Sequence, residues 1–248
     1  MLVIYLCVFF LGASFASFLN ATIYRIEKKY TYPKIIKVGS HCDKCKYQLT
    51  WWELIPILGY ILLKGKCKNC SARINIYYPI SELILGAIFL LFFLFYIPWY
   101  FWLLILFLFI SSSYDIKYRG IPQDLVHVFL VICALFFFLF SFEITNIYLP
   151  IVFTIFLLLV NLIKKSFGLG DILVLLGLGV LMTYQEYIVM FWVGIILALL
   201  YSFYLVFKGV ENIRKVKVPM IPFFSLSFVI TLLYGTMIYD FLLKLLGM

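Results

Sequence analysis

Residues 99–122 read WYFWLLILFLFISSSYDIKYRGIP: an apolar run that closes on an aspartate, followed at once by basic residues. As a helix, a window of about 17 to 22 such residues crosses a hydrocarbon core of roughly 30 Å, and a helix satisfies its own backbone polar groups there. The run over 99–114 therefore predicts a membrane span, and Asp115, Lys117 and Arg119 mark the end that meets water. The same pattern recurs along the chain, at about 2–24, 80–97, 124–142, 147–163, 171–184, 187–207 and 220–241.

Composition agrees with that reading. The 248 residues are 66% hydrophobic and 12% charged, with a mean hydropathy of +1.12. That is more apolar surface than one soluble core can hide. The expected fold class is an all-α polytopic membrane protein of about eight transmembrane helices, with a small cytoplasmic zinc-ribbon-like domain between the first and second. Three regions follow: a first transmembrane helix over 1–24, a polar and basic domain over 25–79, and a transmembrane domain over 80–248.

Basic residues orient the chain. No basic residue precedes the first span, whereas Arg25, Lys28 and Lys29 follow it, so the span reads as an uncleaved anchor with its N-terminus outside. Eight crossings from there put the C-terminus outside as well. Of 20 basic residues, only Lys244 then lies outside. The others fall in 25–79, at Lys117 and Arg119, at Lys164 and Lys165, and at Lys208, Arg214, Lys215 and Lys217. Because Lys and Arg collect in cytoplasmic loops, the net charge of +9 is explained by topology and anionic headgroups, and calls for no nucleic-acid partner.

The polar domain holds Cys42, Cys45, Cys67 and Cys70 as C-x2-C-x21-C-x2-C. Two thiolate pairs on tight turns can converge on one tetrahedral zinc, and four ligands close the sphere, so the metal's role is structural. Paired disulfides or four unrelated thiols are the alternative, and a reducing cytoplasm argues against disulfides. His41 is a bystander, and Cys7 and Cys133 are small apolar residues within spans. Between the pairs runs LTWWELIPILGYILLKG, apolar enough to rest on the membrane surface with Trp51 and Trp52 at headgroup depth. The roles of Glu53 and Glu82 stay open at this stage.

Acidic side chains at membrane depth cost roughly 2.5 to 3.5 kcal/mol and call for a reason. Asp115 ends the third span and Asp171, in GLGD, starts the sixth, so both fall at the cytoplasmic face. Helices distant in sequence can bring the two carboxylates to one depth, as an aspartic protease requires. One member of such a pair, ionised, activates water, and the other, protonated, polarises the scissile carbonyl. Gly168 and Gly170 are expected to give the backbone freedom and room for a substrate strand. The plainer alternative makes each aspartate a helix N-cap or a solvated charge at the membrane interface.

In order along the chain stand GASFASFLNATIYRI, the paired C-x-x-C motifs flanking ELIPILGY, YYPISELILG, DIKYRGIP with Lys117 and Pro122, GLGD, and IPF at 221–223. Together they resemble the type IV prepilin peptidase family, the prepilin leader peptidase/N-methyltransferases among G-x-G-D aspartic membrane proteases. The resemblance implies Asp115 and Asp171 as the catalytic pair and type IV prepilin or pseudopilin precursors as substrates. Cleavage then occurs at the cytoplasmic face of a bacterial cytoplasmic membrane. It also implies methylation of the new N-terminus with S-adenosylmethionine, centred on the cytoplasmic domain. Two departures stand out: Leu173 where family members commonly carry Lys, and IPFFSL where they carry IPFGPF. A zinc-containing scaffold for pilus or secretion assembly is the competing reading, and a transporter a weaker one.

Overall fold

In the computed structural model the described residues are 1–31, 38–140, 142–163, 167–209 and 217–245. Lys34, Lys37, Lys164, Lys165, Arg214 and Lys215, used above to orient the chain, lie outside them. The described residues form nine α-helices: α1 Leu2–Glu27, α2 Leu58–Leu62, α3 Tyr77–Leu94, α4 Trp99–Tyr118, α5 Gln123–Leu139, α6 Thr145–Ile163, α7 Leu169–Val180, α8 Tyr184–Phe207 and α9 Ile221–Leu245. No strand occurs among them, only two isolated β-bridges.

All eight apolar windows are helices, and α2 is an extra short one within the polar region. Six of the eight, α1, α3, α4, α6, α8 and α9, are long and apolar enough to cross a membrane. The protein is a multi-pass membrane protein. The other two are shorter: α5 has 17 residues and α7 has 12. At 1.5 Å per residue α7 is about 18 Å long, well short of the hydrocarbon thickness. It is cut off at its C-terminal end because Thr183 and Glu186 build a capping box that starts α8, with Glu186 Oε2 accepting from Thr183 N–H at 2.9 Å and from its hydroxyl at 2.9 Å.

The chain divides into two compact units, Met1–Trp102 and Leu103–Met248, with the break inside α4. In the first, α1 packs on α3 through small residues. A Cβ on Gly12 would sit 2.8 Å from the Leu85 carbonyl oxygen, and one on Gly86 would sit 2.9 Å from that of Phe9. Backbones approach this closely only where side chains are missing, which is how apolar helices associate without a hydrophobic driving force between them. Near the polar end of the same seam Asn20 Nδ2 donates to Ser81 Oγ at 2.8 Å, and Ser81 passes its own proton to the Tyr78 carbonyl at 2.8 Å.

In the second unit, aromatic rings and glycines interlock. Phe107 of α4 stacks on Phe129 of α5 with centroids 4.1 Å apart, and Phe153 of α6 meets Phe191 of α8 at 4.4 Å. Gly177 of α7 faces Phe129 and Cys133, while Gly179 faces Pro150 and Tyr187. The short α7 is thus gripped by α5, α6 and α8, and its residues Ile172, Val174, Leu175 and Leu178 are fully buried.

Candidate active site and metal centre

The four cysteines of the first unit sit on two matching turns. Cys42 N–H donates to the Tyr47 carbonyl at 2.9 Å and Lys46 N–H returns to the Cys42 carbonyl at 3.0 Å. In the second turn Cys67 N–H and Ser71 N–H repeat these bonds with Ala72 and Cys67, at 2.8 and 2.9 Å. The residue after each second cysteine is left-handed, Lys46 at φ 59° and Ser71 at φ 57°. That conformation is costly for residues other than glycine, and it turns the following backbone N–H back toward the sulfur. The Tyr47 N–H beside Cys45 holds that thiol down, to about 6, even though burial pushes it up.

Cys42 Sγ lies 3.7 Å from Cys70 Sγ, and Cys45 Sγ lies 3.9 Å from Cys67 Sγ. All four sulfurs fall within 4.8 Å of one another, and none is in a disulfide. A tetrahedral ion with metal–sulfur bonds of about 2.3 Å spaces its ligands about 3.8 Å apart. The cluster therefore fits a tetrahedral metal ion. His41 is outside it, with Nδ1 at 3.1 Å from the Gly39 carbonyl and its ring against Tyr24.

Glu53 and Glu82, undecided from sequence, both serve this region. Glu53 closes a capping box with Thr50, its Oε2 accepting from the Thr50 N–H at 2.7 Å and hydroxyl at 2.8 Å. Glu82 reaches from α3 to accept the Ile57 N–H at 2.7 Å, bracing a β-branched residue held at φ 63° and ψ −51°, the centre of a tight turn that Leu58 N–H closes on the Pro56 carbonyl. Both carboxylates line a cavity of about 480 Å³, together with Ser17, Asn20, Arg25 and Cys42. Composition and spacing gave no sign of this cavity.

The two aspartates lie in the second unit, on α4 and α7. Asp115 occupies the last turn of α4, extending that helix past the expected end at 114, and is buried. Its Oδ2 accepts the backbone N–H of Ile221 at 3.1 Å. Ile221 is the first residue of α9, whose opening N–H groups have no intrahelical acceptor, so Asp115 caps that helix from a distance of 106 residues. One turn further along, Ser112 and Ser225 tie the same two helices through a 2.9 Å hydroxyl pair.

Asp171 is the third residue of α7, and Gly168 is its N-cap. The carboxylate turns back onto the Gly168 backbone, the arrangement of one half of a capping box, and lies within electrostatic reach of Asp115. The expected glycine conformations are not present: Gly168 has φ −67° and ψ 141°, and Gly170 is helical. What Gly168 supplies is space, because a Cβ there would come 3.1 Å from Asp171 Oδ2. At Gly170 the nearest atoms, on Val126 and Ile121, would be an ordinary 3.7 and 3.8 Å away. Ile121 follows the turn out of α4, and Pro122 is the N-cap of α5, its carbonyl accepting from Leu125 and Val126 at 3.1 and 3.3 Å. Lys117 lies exposed in the last turn of α4, two residues from Asp115.

Residues 10–96 match the family model described as the Bacterial Peptidase A24 N-terminal domain, and residues 102–203 match the Type IV leader peptidase family. Between them these models span more than half of the chain. The chain belongs to the type IV leader peptidase family. The boundary between the two matches falls beside the structural break at Trp102.

Curated relatives point the same way. A prepilin leader peptidase/N-methyltransferase of Neisseria gonorrhoeae is 36% identical over 100 residues, covering 32% of this chain and 35% of the relative. Its namesake from Bacillus subtilis is 47% identical over 55 residues, covering 22% of each. One from Stutzerimonas stutzeri is 29% identical over 150 residues, covering 49% of this chain and 50% of the relative. The chain spans about a third or less of the length of the first relatives it matches. No solved structure matches the chain.

Proposed function

We propose that this protein is a membrane aspartic endopeptidase that removes the leader from type IV prepilin or pseudopilin precursors, with Asp115 and Asp171 as its catalytic pair. The observation that supports the reading is that two aspartates from helices far apart in sequence lie within electrostatic reach of one another, one buried against the start of α9 and the other at the start of α7. In the reaction the ionised member takes a proton from water, and the hydroxide formed attacks the scissile carbonyl carbon while the protonated member gives its proton to the carbonyl oxygen. Collapse of the tetrahedral intermediate breaks the C–N bond as the leaving amine takes the proton gained from water, and a hydroxyl of the intermediate returns its proton to the other carboxylate, so that the pair again shares one proton.

Residues 25–79 form the cytoplasmic domain in this reading. Cys42, Cys45, Cys67 and Cys70 hold a structural zinc, and α1 enters the membrane with the N-terminus outside, so the C-terminus is outside and the aspartates face the cytoplasm of a bacterial cell. Methylation of the new N-terminus with S-adenosylmethionine belongs to the same proposal. It is supported by the name the relatives carry and by the cavity beside the cysteine turns, lined by Asp43, Glu53 and Glu82 together with Arg25, Lys44 and Arg73.

The test is cleavage of a purified prepilin in detergent by wild type, Asp115→Asn and Asp171→Asn, read by mass spectrometry of the mature N-terminus. Leader loss with wild type alone, and an added mass of about 14 Da for a methyl group, is the expected result. Cleavage by either variant at the wild-type rate refutes the pair.

A further inference from the structure

We infer that Asn161 is a positioning residue, one that sets the place of Asp171 by clasping the backbone of Phe167 from both sides. This rests on Asp171 being one of the two catalytic carboxylates. Asn161 stands near the end of α6, and its side chain makes two bonds to one residue. Nδ2 donates to the Phe167 carbonyl at 2.7 Å, and Oδ1 accepts the Phe167 N–H at 2.9 Å. Only one orientation of the amide satisfies both, so the assignment of its oxygen and nitrogen follows from the contacts. A primary amide carries an acceptor and a donor side by side on separate atoms, and so answers a peptide's N–H and C=O together.

The consequence runs through three successive contacts. Phe167 precedes Gly168, the N-cap of α7, and the Asp171 carboxylate turns back on Gly168. Fixing Phe167 therefore fixes the first turn on which Asp171 is carried. The side chains of Phe167 and Leu169 border an open apolar groove of about 510 Å³, lined also by Ile155, Leu158, Leu159 and Leu162, in place of a packed core. An asparagine in an apolar span carries a cost, and here its two polar ends are both spent on the residue that opens the G-x-G-D turn.

The experiment compares wild type, Asn161→Ala and Asn161→Asp in three measurements: backbone amide exchange over 167–171, kcat and KM for prepilin cleavage, and melting temperature. In Asn161→Ala the Phe167 amide should exchange about tenfold faster or more, and kcat should fall about tenfold with KM unchanged, since misplacing a reacting group by about 1 Å costs roughly 10²-fold. Asn161→Asp supplies the readout that a purely structural role would not move. As pH falls and that carboxyl takes up a proton, its O–H can again donate to the Phe167 carbonyl. The ratio of variant to wild-type kcat therefore rises toward low pH at constant KM. Wild-type kcat in Asn161→Ala, a kcat loss without faster Phe167 exchange, or a loss that only follows melting temperature overturns the inference. If wild type itself cleaves no precursor, the functional reading fails, while the exchange comparison still decides the clasp.

Discussion

Replacing Gly168 by alanine tests whether the space beside Asp171 matters to the chemistry. The added Cβ would lie 3.1 Å from Asp171 Oδ2, closer than comfortable contact, so the carboxylate must give by a few tenths of an ångström. Backbone strain does not enter, because φ −67° and ψ 141° suit alanine as well as glycine. If about 1 Å of misplacement costs roughly 10²-fold, a shift of about 0.3 Å costs about fourfold in kcat. Gly170→Ala is the internal control. Its Cβ meets nothing nearer than 3.7 Å, and alanine is better than glycine within a helix by about 1 kcal/mol. The assay is steady-state cleavage of a purified prepilin, with kcat and KM measured separately and melting temperature recorded for each variant. Gly168→Ala should lose about fourfold in kcat at unchanged KM, and Gly170→Ala should melt no lower than wild type and keep its kcat. Equal kcat losses in the two variants, or none in Gly168→Ala, would refute the reasoning.

Further expectations concern the first unit. Cys45→Ser should lower bound zinc, measured by plasma mass spectrometry, from about one per chain toward none, and should expose residues 38–75 to protease, because structural zinc binding supplies folding energy. Glu53 loses solvation on burial, which raises its pKa, but the Thr50 N–H and hydroxyl together with Lys68 outweigh this and hold it below the usual carboxylate range. A depressed carboxyl stabilises the fold above its unfolded pKa of about 4.3 and loses that contribution as pH falls through the folded value. The melting difference between wild type and Glu53→Gln should accordingly be constant near neutrality and shrink below about pH 4. Gly12→Val should lower the melting temperature and the yield of folded protein in detergent, since its first carbon already overlaps Leu85 and Phe89. An unchanged melting curve would count against the α1–α3 seam.

What the sequence made legible follows from range. Eight apolar windows were readable because each is a local property of consecutive residues, and the cysteine turns because C-x2-C fixes its own geometry. Helix ends were less readable. The continuation of α4 to Tyr118 brings Asp115 inside a helix, and the brevity of α7 depends on a capping box that belongs to its neighbour. Long-range contacts gave no local sign. Nothing around Glu82 announces that it braces Ile57, and IPF at 221–223 stands out only as part of a resemblance. Its physical role at Asp115 depends on a backbone N–H, which every residue except proline possesses, so no residue type could signal it.

The contact at Asp115 also separates folding from chemistry. Ile221 is fully buried, and its N–H lies at a helix start where no carbonyl of the same helix can reach it. Removing the acceptor leaves that donor unsatisfied, at a cost of about 1 to 3 kcal/mol. Asparagine keeps an oxygen in the same place and cannot ionise, so Asp115→Asn preserves the cap while deleting the charge that a base requires. Alanine deletes both. A protein that used Asp115 only to cap α9 would tolerate asparagine and suffer from alanine, whereas a peptidase would lose cleavage equally in the two variants and lose stability only in the second.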